Sequence, residues 1–151
     1  MSRSEHSVLI GSVVVVLIAA AGVTAILRFS QRDVDFCHAV LADLAAGRPW
    51  INRHLDWERL TVMGVNVGDT YSHLSNTKEK ADYQRAFIQQ FARGFEQAGG
   101  DIHAFINWRL AAGNGSEDRV VIADYPAKQK TILFRLSESG KRRVTAIEWQ
   151  S

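Results

Sequence analysis

The sequence has little with which to staple itself together. Cys37 is its only cysteine, which excludes an internal disulfide and leaves the redox compartment undecided. Prolines number only two, and no low-complexity tract or internal repeat divides the chain, which excludes Pro-rich linkers and repeat arrays. There is no HExxH and no cysteine cluster, so neither a metal site nor a cofactor is expected. Charge of one sign is also scarce: the formal net charge is +2 at pH 7, and nucleic acid is not expected as a partner. Gly113-Asn114-Gly115 lacks the Lys and the strand-to-helix setting of a phosphate loop and reads as a hairpin turn.

What the sequence does have, near its start, is one long hydrophobic run. Residues 8–27 read VLIGSVVVVLIAAAGVTAIL without an ionisable side chain, and at about 1.5 Å per helical residue they span roughly 30 Å, one bilayer crossing. The expectation is a polar tail over 1–7, a transmembrane helix over 8–27 contacting membrane lipid, and a linker over 28–32. A cleaved signal peptide is the rival, with small triplets ending at Ala21 or Ala25, but the run exceeds the usual apolar core of about 7–15 residues and stops only at Arg28. The basic residues near the span, Arg3 against Arg28 and Arg32, taken literally favour a cytoplasmic domain. Short tails ahead of a single apolar helix commonly stay inside, so the expected localisation is a single-pass membrane protein with its domain extracytoplasmic.

Residues 33–151 suffice for one domain with a real core. Asp33 to Ala46 carries Phe36, Cys37, Val40, Leu41 and Leu44 on one stripe and reads as a helix ended by Gly47-Arg48-Pro49. Trp50 to Leu60 reads as a second, shorter helix, and Thr61 to Asp69 as a loop or short strand. The third helix starts at a capping-box-like Asn76 with Glu79 and stops at Gly99-Gly100. Along it Tyr83, Phe87, Phe91 and Phe95 recur every four residues, a stripe that something must cover. Four strands follow, Ile102–Ala111, Arg119–Tyr125, Lys130–Ser137 and Arg142–Trp149, separated by turn signals. In the first, Ile102, Ala104, Ile106, Trp108 and Leu110 point one way and His103, Phe105, Asn107 and Arg109 the other. The expected fold is α+β: about three helices on a curved four-stranded antiparallel sheet behind the membrane helix.

Helices first, then a long aromatic-striped helix, then a curved sheet: this order resembles the NTF2-like, or cystatin-like cone, superfamily. The resemblance rests on AVLADLAAGRPW at 39–50, YQRAFIQQFARGF at 83–95 and the strand series to Trp149. It implies a sheet wrapped around a helix to leave a conical pocket, in a family of enzymes, small-ligand carriers and interaction modules, so fold alone does not fix function. Its isomerase and dehydratase members place carboxylates or a His-Asp pair in the cone. No such motif aligns here residue by residue, which weakens an enzymatic reading.

Candidate chemistry is thin. Cys37 and His38 are adjacent and, on a helix, about 100° apart, so a packed core thiol is expected rather than a nucleophile with its base. His54 and Glu58, with Asp56 nearby, would share a helix face but lack further metal ligands. His103, Asp124 and Tyr125 come from adjoining strands and are the weak catalytic candidates, with His103 or Asp124 as general base. Asp124 and Tyr125 alternate, so at most one points inward. Tyr83, Phe87, Phe91 and Phe95 would line a ligand pocket if one exists and otherwise fill the core. Lys128, Lys130, Lys141, Arg142 and Arg143 form a candidate basic patch, together with Arg135, for anionic lipid or an acidic partner. The leading functional expectation is a membrane-anchored, non-enzymatic binding or assembly module that contacts a partner protein or a second copy of itself. A carrier of a small apolar ligand or lipid comes second and a small isomerase-like enzyme third.

Overall fold

The computed structural model describes residues 28, 30–111, 119–137 and 140–150. Residues 33–151 make one compact unit and residues 1–32 another; of the second, residues 28 and 30–32 are described and are helical.

Residues 33–45 form α1, which buries Val34, Cys37, Val40, Leu41 and Leu44. It ends where Gly47 takes φ +67°. The Gly47 N–H donates to Leu44 O and the Arg48 N–H to Asp43 O, each at 3.0 Å, the paired bonds of a Schellman cap. The expected second helix is instead a 3-10 segment, Pro49–His54. Leu55 leaves it in extended conformation to bridge Val144, because Ile51, Leu55, Trp57 and Leu60 all turn into the core.

β1 (Thr61–Val62) and β2 (Val65–Asn66) form a tight hairpin. Met63 and Gly64, its two loop residues, both have positive φ, as a type I′ turn requires. Asn66 then caps α2 (Val67–Ser72) by accepting from the Asp69 N–H at 2.9 Å. α3 runs Thr77–Gln97. The Asn76 carboxamide accepts from the Glu79 N–H at 2.9 Å, and the Glu79 carboxylate reaches back to the Ser75 N–H at 3.1 Å, a capping box displaced by one residue.

β3 (Ile106–Leu110), β4 (Arg119–Tyr125), β5 (Lys130–Leu136) and β6 (Val144–Gln150) follow. β3 is shorter than expected: Ile102–Ala104 is a 3-10 turn and a bulge at Asn107, φ 55°, breaks the register between Ile106 and Arg109. The predicted alternation therefore fails at its start, with Phe105 buried and Ile106 exposed. β3 to β6 form an antiparallel meander, but β1 pairs with β6 in parallel. The sheet is thus six-stranded and mixed, in the order β2-β1-β6-β5-β4-β3, not four-stranded and antiparallel. Both additional strands are only two residues long, too short to read as strands from their pattern.

The membrane expectation is corrected too. Among the described residues no helix is long and apolar enough to cross a membrane, and the run over 8–27 lies outside them. The longest described helix, α3, has 21 residues, yet Lys78, Glu79, Lys80, Asp82, Arg85, Arg93 and Glu96 make it far too polar to span lipid. Among the described residues nothing supports a transmembrane, single-pass or extracytoplasmic placement.

Candidate functional site

The structure separates most of the residues that the sequence brought forward. Cys37 is completely buried. Burial first, and Asp33 next, push its thiol well above the ordinary range, with Arg142 and Arg119 offsetting part of the rise. His38 is exposed and sits edge-on to Trp108, ring centroids 5.2 Å apart, so the pair Cys37-His38 is no nucleophile and base. His54 lies edge-on to Phe36 at 5.4 Å. Burial, and then Arg53, lower its pKa against an opposing pull from Asp43. Glu58 is exposed in a turn beyond the 3-10 segment, so it shares no helix face with His54, and Asp56 is held by Arg59 at 2.6 Å. No cluster of three or more metal-ligating side chains exists among the described residues.

His103 is exposed in its 3-10 turn. Asp124 faces away from the core and is saturated with donors. Arg109 grips it with both terminal nitrogens, at 3.1 and 3.2 Å, Asn107 donates at 3.1 Å and Thr131 at 3.4 Å. The Arg109 hydrogen bonds first, then Asn107, hold its carboxyl below the usual carboxylate range, the opposite of what a general base needs. Tyr125 points inward and stacks on Phe105 at 4.7 Å.

The stripe of α3 is core packing. Phe87 meets Trp57 edge-on at 5.6 Å, while Phe91 stacks on Phe95 and Phe95 on Phe105, at 6.4 and 6.3 Å. Tyr83 packs by Tyr71 at 6.4 Å. A shallow apolar groove of about 440 Å³ lies beside Phe95, lined by Ala42, Ala45, Ala46 and Ile102.

The basic patch is not one patch. Lys128 and Lys130 lie over Tyr125 and Trp149 at 6.0 and 5.9 Å, at the start of β5. Lys141, Arg142 and Arg143 precede β6 at the opposite end, about 20 Å away for a seven-residue strand at roughly 3.3 Å per residue. Arg142 is drawn inward. Its Nε lies 2.8 Å from Asp33 Oδ1 and its guanidinium 5.6 Å from the centre of the Phe36 ring. That N–H has no aligned hydrogen-bond acceptor among the described residues, so its tie to Asp33 is Coulombic.

What the sequence reading missed is a surface. In β4 and β5 the residues Val121, Ala123, Tyr125, Ile132, Phe134 and Leu136 enter the core beneath the helices, so their alternates form the other face. Leu133 and Ala146 are buried there too, at 4% and 5% exposure, outside the cluster beneath the helices, while Ile122 is partly exposed. Three rows of residues cross this face through the strand register. One reads Ile106, Asp124, Thr131, Gln150; the next Arg109, Ile122, Leu133, Glu148; the third Val120, Arg135, Ala146, Thr61. The centre is apolar and the margins are charged. A recess of about 350 Å³ opens at one side, among Arg59, Thr61, Arg135, Thr145, Ala146 and Glu148. The signal was present in β4, whose Val120, Ile122 and Asp124 alternate with a fully apolar set, but alternation does not say which face the helices cover.

Compared with known proteins, the chain matches no family model, no curated protein and no solved structure.

Proposed function

We propose that the domain is a non-enzymatic binding module that docks a partner protein on the face of its sheet opposite the core. One observation carries this reading: the exposed Ile106 and the partly exposed Ile122 stand among Arg109, Asp124, Arg135 and Glu148 on the sheet face opposite the core. Accessible apolar side chains beside charged ones are what a protein interface uses. The donor-saturated Asp124 speaks against base catalysis, and the ring contacts along α3 speak against a preformed carrier pocket. We propose the NTF2-like cone as the fold family on weaker support, namely helices that precede a sheet and an aromatic stripe packed beneath it.

A photoreactive benzoylphenylalanine in place of Ile122 tests the reading, with the same group in place of the exposed Gln90 on α3 as control. Protein adducts at position 122 and none at position 90 are expected. Equal labelling at both positions, or no protein adduct at 122, overturns it.

A further inference from the structure

A recess of about 350 Å³ opens where the 3-10 segment, the turn after it, α2, α3 and the residue before β6 come together. We infer that it binds a free α-amino acid, held by its carboxylate and its ammonium at once. The recess shares no residue with the docking face proposed above, so the two readings fail separately.

Hydrogen bonds fix the frame of the recess. The Asp56 N–H donates to Val144 O at 2.9 Å and the Arg59 N–H to Asp56 O at 3.0 Å. The indole N–H of Trp57 donates to Asn52 O at 2.8 Å, which ties the turn back to the 3-10 segment. Trp57 is itself buried, with its ring tilted against Tyr71 at 5.8 Å. At the rim the Ser137 N–H donates to Arg143 O at 2.9 Å. The charged side chains therefore stand on a fixed backbone, and their own ends are left to meet a ligand.

Four charged residues line the recess: Arg53, Asp56, Glu58 and Arg143. Asp56 is already held by Arg59 at 2.6 Å. Arg53 donates from Nε to Trp50 O at 3.3 Å and keeps both terminal nitrogens for other use. Glu58 and Arg143 make no side-chain hydrogen bond or ion pair among the described residues. Opposite charges that share a recess without pairing leave a gap, and a ligand that carries the reversed pair of charges fills it. Guanidinium groups grip a carboxylate through paired N–H donors, and Glu58 is the acceptor for an ammonium. A simple anion would meet Glu58 and a simple cation would meet two arginines, so the zwitterion is the class that suits both. The Tyr71 hydroxyl accepts from Gln84 Nε2 at 3.1 Å, which leaves its own proton to donate. With the Asn52 and Gln84 carboxamides also in the lining, a short polar side chain is favoured. Ligand cavities run from about 300 to 1,000 Å³, and this one is near the low end, with room for one such molecule and none for a lipid chain.

Saturation-transfer NMR of the full chain, with the free L-amino acids as probes and each followed by its N-acetyl and its carboxamide derivative, is the test. At least one free L-amino acid is expected to bind with a dissociation constant below about 10 mM. Both of its derivatives should bind about ten-fold more weakly or not at all, since each lacks one of the two charges. Arg143→Gln and Glu58→Gln should weaken binding by a similar factor and leave the thermal melt in place, because both side chains are exposed. Arg93→Gln, at an exposed position of α3 outside the recess, should change nothing. No binding by any free amino acid, a derivative that binds as well as its parent, or variants that bind as wild type does overturns the inference. The derivatives probe the ligand's charges without altering the protein, so the outcome does not depend on a variant that folds.

Discussion

Arg119 donates through one terminal nitrogen to both carboxylate oxygens of Asp33, at 3.1 and 3.3 Å, although 86 residues separate them in sequence. With Arg142 on the other side, Asp33 is a nearly inaccessible carboxylate, 2% exposed, between two arginines that are each about a third exposed. The group ties α1 to the beginnings of two strands, and it yields the first prediction.

Asp33→Ala leaves both guanidinium groups without their anion, and it should cost about 2–3 kcal/mol, in the range of hydrogen bonds to charged groups rather than of a fully buried pair. Arg119→Ala should cost less, because that side chain is partly solvated and Arg142 still balances the carboxylate. Urea unfolding measures both. A loss under about 0.5 kcal/mol for Asp33→Ala would show that the pair contributes nothing net.

Asp124 predicts a pH dependence. Its folded pKa is lowered, chiefly by Arg109, so the folded state prefers the ionised form. The stabilisation is therefore present above the ordinary carboxylate value near 4 and is lost as pH falls below it. Asp124→Asn should melt below wild type at pH 7, and the gap should be smaller at pH 3. A gap of the same size at both values would assign the difference to packing.

Cys37 should be chemically silent in the native state. The thiolate is the reactive form, and burial keeps the thiol protonated and covered. A thiol reagent at pH 8 should label native protein no faster than it unfolds, and label it at once in denaturant. Rapid native labelling would mean that α1 lifts from the sheet on its own.

Gly68 sits where a side chain has no room: a Cβ built there meets the backbone carbonyl of Glu58, with Arg59 N at 3.1 Å. Its own N–H donates to Leu60 O at 2.9 Å, so neither backbone segment yields without breaking a bond. Gly68→Ala should destabilise by about 2 kcal/mol or more, in the class of strained small-to-large changes. An unchanged melting temperature would show that the turn after Trp57 shifts freely.

The sequence was informative wherever a residue's partner lies close along the chain. The stripe of α1, the cap at Asn76 and the limits of β4 all follow from local periodicity and turn chemistry. Periodicity failed at residues 102–107, because the 3-10 turn and the Asn107 bulge each re-aim the backbone by less than a strand length. Arg142 read as one of a run of surface cations, since nothing in LysArgArg says that the middle one finds Asp33 and Phe36. Asp33 read as the first residue of a helix, whereas residues 28 and 30–32 are already helical and its carboxylate pairs with arginines of the sheet instead.

The place of β6 also bears on how the protein is made. It comes last among the described strands, yet it lies inside the sheet, with β1 on one side and β5 on the other. Thr61 leaves the ribosome 85 residues before Ala146, the partner it pairs with, and at about 5–20 residues per second the β1–β2 hairpin waits several seconds for it. During that interval Val62 and its neighbours are uncovered, and a chaperone that captures short apolar stretches has its opportunity there. Premature termination between Leu136 and Val144 would leave a hairpin, three helices and a three-stranded remnant with no strand to join them.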